Sequence, residues 1–429
     1  MTQAAQATPR RLHFHLMTRA PHPDANQTKP DIVDLFAGPG GLDIAAEVLG
    51  LPTIGVEWEE STRATRHAAG LRTTEEPDVA KVNPLDPEVA SARILTGGPP
   101  CQTYSVAGNR EGHKALEEVK DLAERVGQSR NVKDLERAWA EVNRRAQELS
   151  WADERTGLVL QPLRWIVEKK LKADPYEVVV LEQVPTVLPV WKKYCDILRE
   201  LGYDADCHIL HTEEYGVPQT RRRAVLIARH RGTAGQGVDF PPLTHQRYRK
   251  GAKRLAPQEP EAPSPAVHQS PLFDPPTQPR GRLEPWVSMR DALMDTRSTD
   301  FVVRSNYGSG GDPKKRGLRT SDTPAATVTG KVSRNKLYDL KGFDENGEPE
   351  LGPEQDRFSL REAGLLQTFP VEYPWRGTDV AQQIGNAIPP LLAIHILCTA
   401  LRLGESRKQR AIGALKTWRP PHARMDVGA

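Results

Sequence analysis

Residues 31–41 read Asp-Ile-Val-Asp-Leu-Phe-Ala-Gly-Pro-Gly-Gly, a short apolar run that ends abruptly in three glycines and a proline. An apolar stretch of this length closed by turn residues predicts a buried strand, and Leu42–Leu49 then takes up helical spacing. Strand, glycine turn and helix in succession place Cβ-free backbone and a helix N-terminus at a strand's carboxyl end, where a nucleotide-like ligand can approach. The next strand-like stretch, Leu51–Glu57, ends in a carboxylate at the position that accepts hydrogen bonds from ribose hydroxyls. Trp58 beside it can stack on adenine. Asp78 and Val79 are placed on the other side of that ring, with Asp86 as the competing choice.

Outward from this unit, Ile94–Thr96, Tyr176–Leu181 and Ala224–Ala228 are further buried-strand candidates, and they alternate with helical stretches such as Leu158–Leu171. The rhythm predicts an α/β fold with a mostly parallel, doubly wound sheet over residues 31–240. Residues 115–150 break it with two charged amphipathic helices, separated at Gly127–Asn131, which read as an inserted helical cap. A contact of Arg137, Arg144 and Arg145 with nucleic acid is the sharper alternative. From Leu255 to Arg282 there are eight prolines and few bulky apolar residues, the composition of a linker. Residues 241–356 are therefore assigned to that linker and a second, smaller, irregular domain, with strand-like pieces at Phe301–Val303 and Ala326–Thr329. Residues 357–405 return to the first domain through the apolar helix Leu391–Leu401, and 1–30 and 406–429 read as tails.

A chain of 429 residues exceeds the roughly 250 to 300 that one core usually supports, in keeping with two domains. Its 38% hydrophobic and 27% charged residues suit a globular enzyme, and no apolar run approaches the roughly 18 residues of a membrane span. The first 30 residues lack the apolar core of a secretion signal, so a cytoplasmic monomer is expected. A net charge of +3 permits a nucleic-acid partner without requiring one. The four cysteines are far apart except for Cys195 and Cys207, whose spacing suits no zinc knuckle. Neither disulfides nor a metal is expected, which leaves room for a chemically active thiol.

Cys101 has the setting for that role. Gly97-Gly-Pro-Pro-Cys-Gln-Thr-Tyr-Ser105 follows a strand, and its paired prolines make a rigid turn that presents the thiol at the strand's carboxyl edge. Glu182, closing Leu181-Glu-Gln-Val184, reaches the same edge if the strands are parallel, where a carboxyl group can serve as an acid. In Gln219-Thr-Arg-Arg-Arg223, Arg221 and Arg223 project to one face and can hold a base or a phosphate, while Arg222 points away.

The order DLFAGPGG (34–41), GGPPCQTYS (97–105), LEQV (181–184), QTRRRAVLIA (219–228), LLQTFP (365–370) and QQIGNAIPP (382–390) resembles the DNA (cytosine-5)-methyltransferase family. The resemblance spans residues 31 to 400 and is weakest at 106–155 and 241–356, the second being where the family carries its variable target-recognition domain. It implies a class I methyltransferase sheet, S-adenosylmethionine as cofactor, double-stranded DNA as partner, and a cognate restriction endonuclease as a possible companion. By the same resemblance Phe36, Gly38, Gly40 and Gly41 meet the cofactor's methionine end, Glu57 its ribose, and Trp58, Asp78 and Val79 its adenine. Pro99, Asn386 and Ala387 line the same pocket. Cys101 is the implied nucleophile, Glu182, Arg221 and Arg223 its catalytic partners, and Gln102, Ser105, Gln219, Thr327 and Thr329 DNA contacts. Val106–Lys114, with Gly108 and Gly112 as hinges, is the implied closing loop. Two departures stand out: Gln183 replaces the family's usual Asn, and Ala387 its usual Ser. A tRNA cytosine-5 methyltransferase on the same domain is disfavoured by the long 241–356 region, a catalytically silent DNA-binding relative by the intact Cys101, Glu182, Arg221 and Arg223, and an amino-methyltransferase because Pro99-Pro100 leads into Cys101 rather than ending an Asn/Asp-Pro-Pro-aromatic pattern.

Overall fold

The computed structural model describes residues 29–100, 110–148, 154–251, 254, 256–257, 282–308 and 316–421. Cys101, Gln102, Ser105 and the first part of the expected closing loop lie outside them. Strand β1 (Ile32–Leu35) is followed by helix α1 (Gly41–Val48), β2 (Thr53–Val56), α2 (Glu60–Ala68) and β3 (Ile94–Gly97). Helices α3 (Arg110–Gly127), α4 (Val132–Glu148) and α5 (Gln161–Leu171) lead to β4 (Val178–Gln183), α6 (Leu188–Glu200) and β5 (Tyr203–His211). A short β6 (Gln219–Thr220) precedes β7 (Arg222–His230).

The principal sheet has the order β2-β1-β3-β4-β7-β5. β1 pairs in parallel with β2 and β3, and β3 with β4, whereas β7 runs antiparallel to both β4 and β5. An isolated parallel bridge from Gly55 to Thr73 extends the sheet beyond β2. The chain leaves β1 toward β2 and crosses back to β3 on the other side, so the switch point of this doubly wound fold lies at the carboxyl ends of β1 and β3.

Alternation along the strands builds two apolar layers. Val33, Leu35, Val179 and Leu181 share the lower one with residues of α3, α5 and α6, including Val119, Leu163 and Trp191; the other is the upper. Ile32, Val178 and Val180 point the other way, toward Ile44 of α1 and the helix α10 (Pro390–Ala400). Both faces are covered, which is why these parallel strands read as unbroken apolar runs. The insertion is a helical pair, as expected, docked through Val119, Leu122, Ala123 and Val126. Gly112 falls within α3 and so is no loop hinge. Arg144 and Arg145 are paired with Glu141 on their own helix, and Arg137 with Asp134.

The second region is more regular than its sequence suggests. Helix α7 (Met289–Leu293) leads into β8 (Phe301–Gly308), β9 (Arg316–Thr320), the short β10 (Ala325–Ala326), β11 (Lys336–Phe343) and β12 (Pro349–Gln355). A four-stranded sheet of order β12-β11-β8-β9 results, and β10 pairs instead with β6 of the first region. Helices α8 (Leu360–Leu366) and α9 (Val380–Asn386) share this region's core, with Leu366 and Ile384 packed beside Phe301 and Leu337. Val380–Ala400 has the length and composition of a membrane span, yet it breaks between α9 and α10 and most of it is buried inside the protein.

The described part of the expected C-terminal tail is packed: α11 (Glu405–Lys416) places Ala411 and Leu415 in the upper layer, and Trp418 follows with 4% exposure. The Trp418 indole N–H donates to Glu47 Oε2 at 3.2 Å. Trp418→Ala should lower unfolding free energy by about 3–5 kcal/mol, the usual cost of emptying a buried Trp site, as measured by urea denaturation.

Candidate active site

The glycine turn after β1 is held in an uncommon backbone shape. Phe36 has φ +59°, Gly38 +56° and Gly40 +101°, and a left-handed conformation is costly for an aromatic residue. Hydrogen bonds hold it there: Ala37 N–H donates to Val56 O at 3.1 Å, and Gly38 N–H to Glu57 Oε2 at 2.7 Å. Glu57 Oε1 accepts from Glu59 N–H at 2.8 Å. The buried carboxylate thus joins the ends of β1 and β2. Burial raises its pKa against the opposing pull of these N–H donors. Each of its oxygens retains a lone pair for a further donor such as a ribose hydroxyl.

The three glycines differ in purpose. A Cβ on Gly38 would meet nothing within 4 Å, so this backbone faces open space that a ligand can fill. On Gly40 it would collide with Leu71, and on Gly41 with the carbonyl oxygen of Ile388. Those two positions are small because protein, rather than ligand, comes close. Trp58 is 62% exposed and presents a free ring face, whereas Val79 is buried in the lower layer. The Asp78 carboxylate caps its own turn by accepting from Ala80 N–H at 3.0 Å.

Beneath the turn lies a group with no motif to announce it. Arg66 of α2 is fully buried and forms a two-pronged ion pair with Asp43 of α1, at 2.9 Å on each side. It also donates to Gly38 O, Arg72 O and Thr73 Oγ1. Asp34, buried on β1, accepts from Thr96 Oγ1 at 2.7 Å, and burial together with the charge of Asp43 pushes its pKa up to about 8. From the C-terminal part of the chain, the buried Tyr373 hydroxyl donates to Pro39 O.

The second cluster stands at the carboxyl ends of β3 and β4. Gly97 is paired with Leu181, which sets Gly98 beside Glu182: a Cβ there would lie 3.7 Å from Glu182 Oε2. Gln183, which stands where the family usually has Asn, donates from Nε2 to Pro99 O at 2.7 Å and accepts at Oε1 from Val184 N–H at 2.6 Å. The residue that replaces Asn thus still ties the Pro-Pro turn to the end of β4. Pro99 has its carbonyl committed to this bond. Across β7, Arg223 Nε sits 2.5 Å from Glu182 Oε1, both side chains about nine-tenths buried. Burial lowers the Arg223 pKa, and the Glu182 charge opposes that effect.

Arg221 and Gln219 belong elsewhere. The Arg221 guanidinium donates to the carbonyls of Val328 (3.0 Å), Gly385 (2.9 Å) and Ala387 (3.1 Å). Gln219 is completely buried, donating to Leu366 O and Gln367 Oε1 and accepting from Val328 N–H. Both side chains, expected at a base or at DNA, are instead fasteners between the two regions: Arg221 is spent on three backbone carbonyls, and Gln219 on backbone and the Gln367 side chain. Of the other expected contacts, Thr327 is exposed and donates to Thr220 O, and Thr329 is half-buried. Asn386 is exposed and accepts from Gln382, while Ala387 is buried.

Sequence reasoning missed Arg66, Asp43 and Tyr373, which lack any local pattern and are recognisable only from the partners that folding brings to them. Asp43→Asn should cost about 3–5 kcal/mol in denaturant unfolding, since it strands a buried guanidinium without its counter-charge.

Comparison with known proteins accords with this geometry. The family described as C-5 cytosine-specific DNA methylase matches residues 31–122 and 147–401. The type II methyltransferase M.AplI of Arthrospira platensis is 24% identical over 404 residues, covering 90% of this chain and 89% of its own. M.Sau96I of Staphylococcus aureus, also a type II methyltransferase, is 28% identical over 384 residues, covering 85% and 74%. Among solved structures, the Dnmt2 methyltransferase of S. pombe aligns with a TM-score of 0.50 at 13% identity over 86% of this chain and 97% of its own, a likeness of fold, that of class I methyltransferases. Within its span the family match follows every strand and omits only 123–146, the end of α3 and most of α4. The chain belongs to the C-5 cytosine-specific DNA methylase family.

Proposed function

We propose that this protein transfers a methyl group from S-adenosylmethionine to C5 of a cytosine in double-stranded DNA, through a transient bond between Cys101 and C6 of the ring. The observation that carries the reading is the Gln183–Pro99 hydrogen bond, which fixes the turn leading into Cys101 alongside the Glu182–Arg223 pair. The open backbone at Gly38, the Glu57 carboxylate and the exposed Trp58 ring suit the methionine, ribose and adenine parts of the cofactor. Asp78 and Val79 flank the adenine, and Asn386 and Ala387 close the pocket.

C5 of cytosine is a poor nucleophile until a thiolate adds at C6. Cys101 forms that bond, and the displaced electron pair is delocalised over C5 and toward N3. Glu182 hydrogen-bonds or protonates N3 through the oxygen that Arg223 does not hold, and Arg223 keeps that carboxyl group in place. When bound, S-adenosylmethionine would supply an electrophilic methyl group to C5, its S–CH3 bond breaking to leave neutral S-adenosylhomocysteine. Loss of the C5 proton to a base then restores the ring as the C6–S bond breaks and Cys101 is released. These atoms are inaccessible in a stacked duplex, so the cytosine is flipped out at a cost of a few kcal/mol. Arg221 and Gln219 act by holding β6, the 328 segment and α9 together. Thr327 and Thr329, with Gln102 and Ser105, are the proposed DNA contacts. A cytoplasmic restriction-modification setting with a cognate endonuclease belongs to the same proposal, in keeping with relatives named type II methyltransferases.

Bisulfite sequencing of DNA from expressing cells should show converted-resistant cytosines in one sequence context; methylation confined to tRNA would overturn the DNA target. Cys101→Ala should reduce transfer to background while S-adenosylhomocysteine still binds in calorimetry. Glu182→Gln should lower kcat by about 10²–10⁴-fold with little change in cofactor affinity, measured by tritiated methyl transfer.

A further inference from the structure

Arg164, in the first turn of α5, fastens one loop to the body of the protein. Its Nη2 donates to Val79 O at 2.9 Å and to Val82 O at 3.2 Å, its Nε to Gln161 Oε1 at 2.8 Å, and its Nη1 reaches Glu168 Oε2 at 3.2 Å. The loop 78–82 that it holds follows residues 72–74, which run beside β2: Gly55 N–H donates to Arg72 O, and Thr74 N–H to Gly55 O. The loop therefore emerges at the carboxyl edge of the sheet, the edge that also carries Gly38 and Glu57.

The guanidinium is covered by an aromatic ring from outside the family pattern. Arg164 Cζ lies 5.6 Å from the ring centroid of Trp139 on α4. Trp139 is half-buried against the lower core and belongs to the segment 123–146 that the family match omits. Its helix is itself well anchored. Leu135 and Val142 of α4 are buried, and the preceding α3 meets α6 so closely that a Cβ on Gly127 would collide with Ile197. The ring is thus presented on a rigid support. A cation against an indole face is attracted to it, more strongly as water is excluded.

We propose that the α3–α4 insertion serves the cofactor pocket: Trp139, stacked on Arg164, is a positioning residue that holds loop 78–82 in its binding geometry. The inference rests on the reading that this loop flanks the cofactor's adenine, and it gives the extra helices a task within the reaction rather than on DNA. The ring restricts Arg164, Arg164 restricts the carbonyls of Val79 and Val82, and the loop loses less freedom when the adenine arrives. A helical pair that only covered apolar surface would need bulk at position 139 but no aromatic face.

That difference sets the test. Full-length wild type, Trp139→Phe and Trp139→Leu are titrated with S-adenosylhomocysteine by calorimetry, and their methyl transfer is followed at varied cofactor and DNA concentrations. Trp139→Phe should bind within about two-fold of wild type, whereas Trp139→Leu should bind about five- to ten-fold more weakly. The KM for S-adenosylmethionine should rise in step for Trp139→Leu, with kcat at saturating cofactor and the affinity for DNA unchanged. Equal binding by Trp139→Leu and wild type would overturn the proposal, as would a loss spread equally over kcat and DNA affinity. Failure of the wild type to bind S-adenosylhomocysteine would overturn the cofactor reading itself, and the brace with it.

Discussion

The buried guanidinium of Arg66 is the constraint around which the glycine-turn side of the protein is arranged. A charge removed from water is costly unless paired and hydrogen-bonded, and here every N–H of the group has an acceptor: Asp43, Gly38 O, Arg72 O and Thr73 Oγ1. Those acceptors come from the glycine turn, from α1 and from the stretch beside β2. Satisfying one cation therefore fixes how these pieces meet. Space is limited as well, since a Cβ on Gly55 would overlap the guanidinium. The strained Phe36 and the open backbone of Gly38 persist because their surroundings leave the turn no other arrangement.

A similar logic joins the two regions. Arg221 and Gln219, both buried, draw together the 328 segment, the end of α8 and the end of α9. The contact is tight enough that a Cβ on Gly385 would overlap the backbone of Thr329 and Gly330. The chain next passes Ile388, whose carbonyl lies against Gly41. A continuous path of close backbone contacts thus runs from the second region to the glycine turn after β1. The Glu182–Arg223 pair stands beside this path, at the antiparallel junction of β4 and β7.

Much of the framework was legible because burial on both faces leaves a plain mark. β1, β3, β4 and β7 are apolar runs ended by turn residues or by charged groups such as Glu182 and Arg223. β5 escaped notice: Tyr203–His211 alternates buried and half-exposed positions at a sheet edge, with Asp204, Asp206 and His208 interrupting the apolar pattern. The strands β9, β11 and β12 are charged and mostly half-exposed, so their pairing depends on partners distant in the chain. Helix α11 is polar apart from a few residues, so by sequence alone it reads as part of a tail.

The sequence by itself determined the order of strands and glycine turns, the family resemblance, and the residue types at the reactive edge, because each is written in contiguous residues with fixed spacing. Only the tertiary structure decided which of those residues face open space and which are fasteners. Gly38 and Gly41 are three positions apart in one motif, yet one faces open space and the other a backbone carbonyl. Arg221 and Arg223 are two apart, yet one is spent on three carbonyls and the other on Glu182. The reason is that a polar group's role is set by whichever acceptors burial brings to it, and for these residues the acceptors lie tens to hundreds of positions away in the chain.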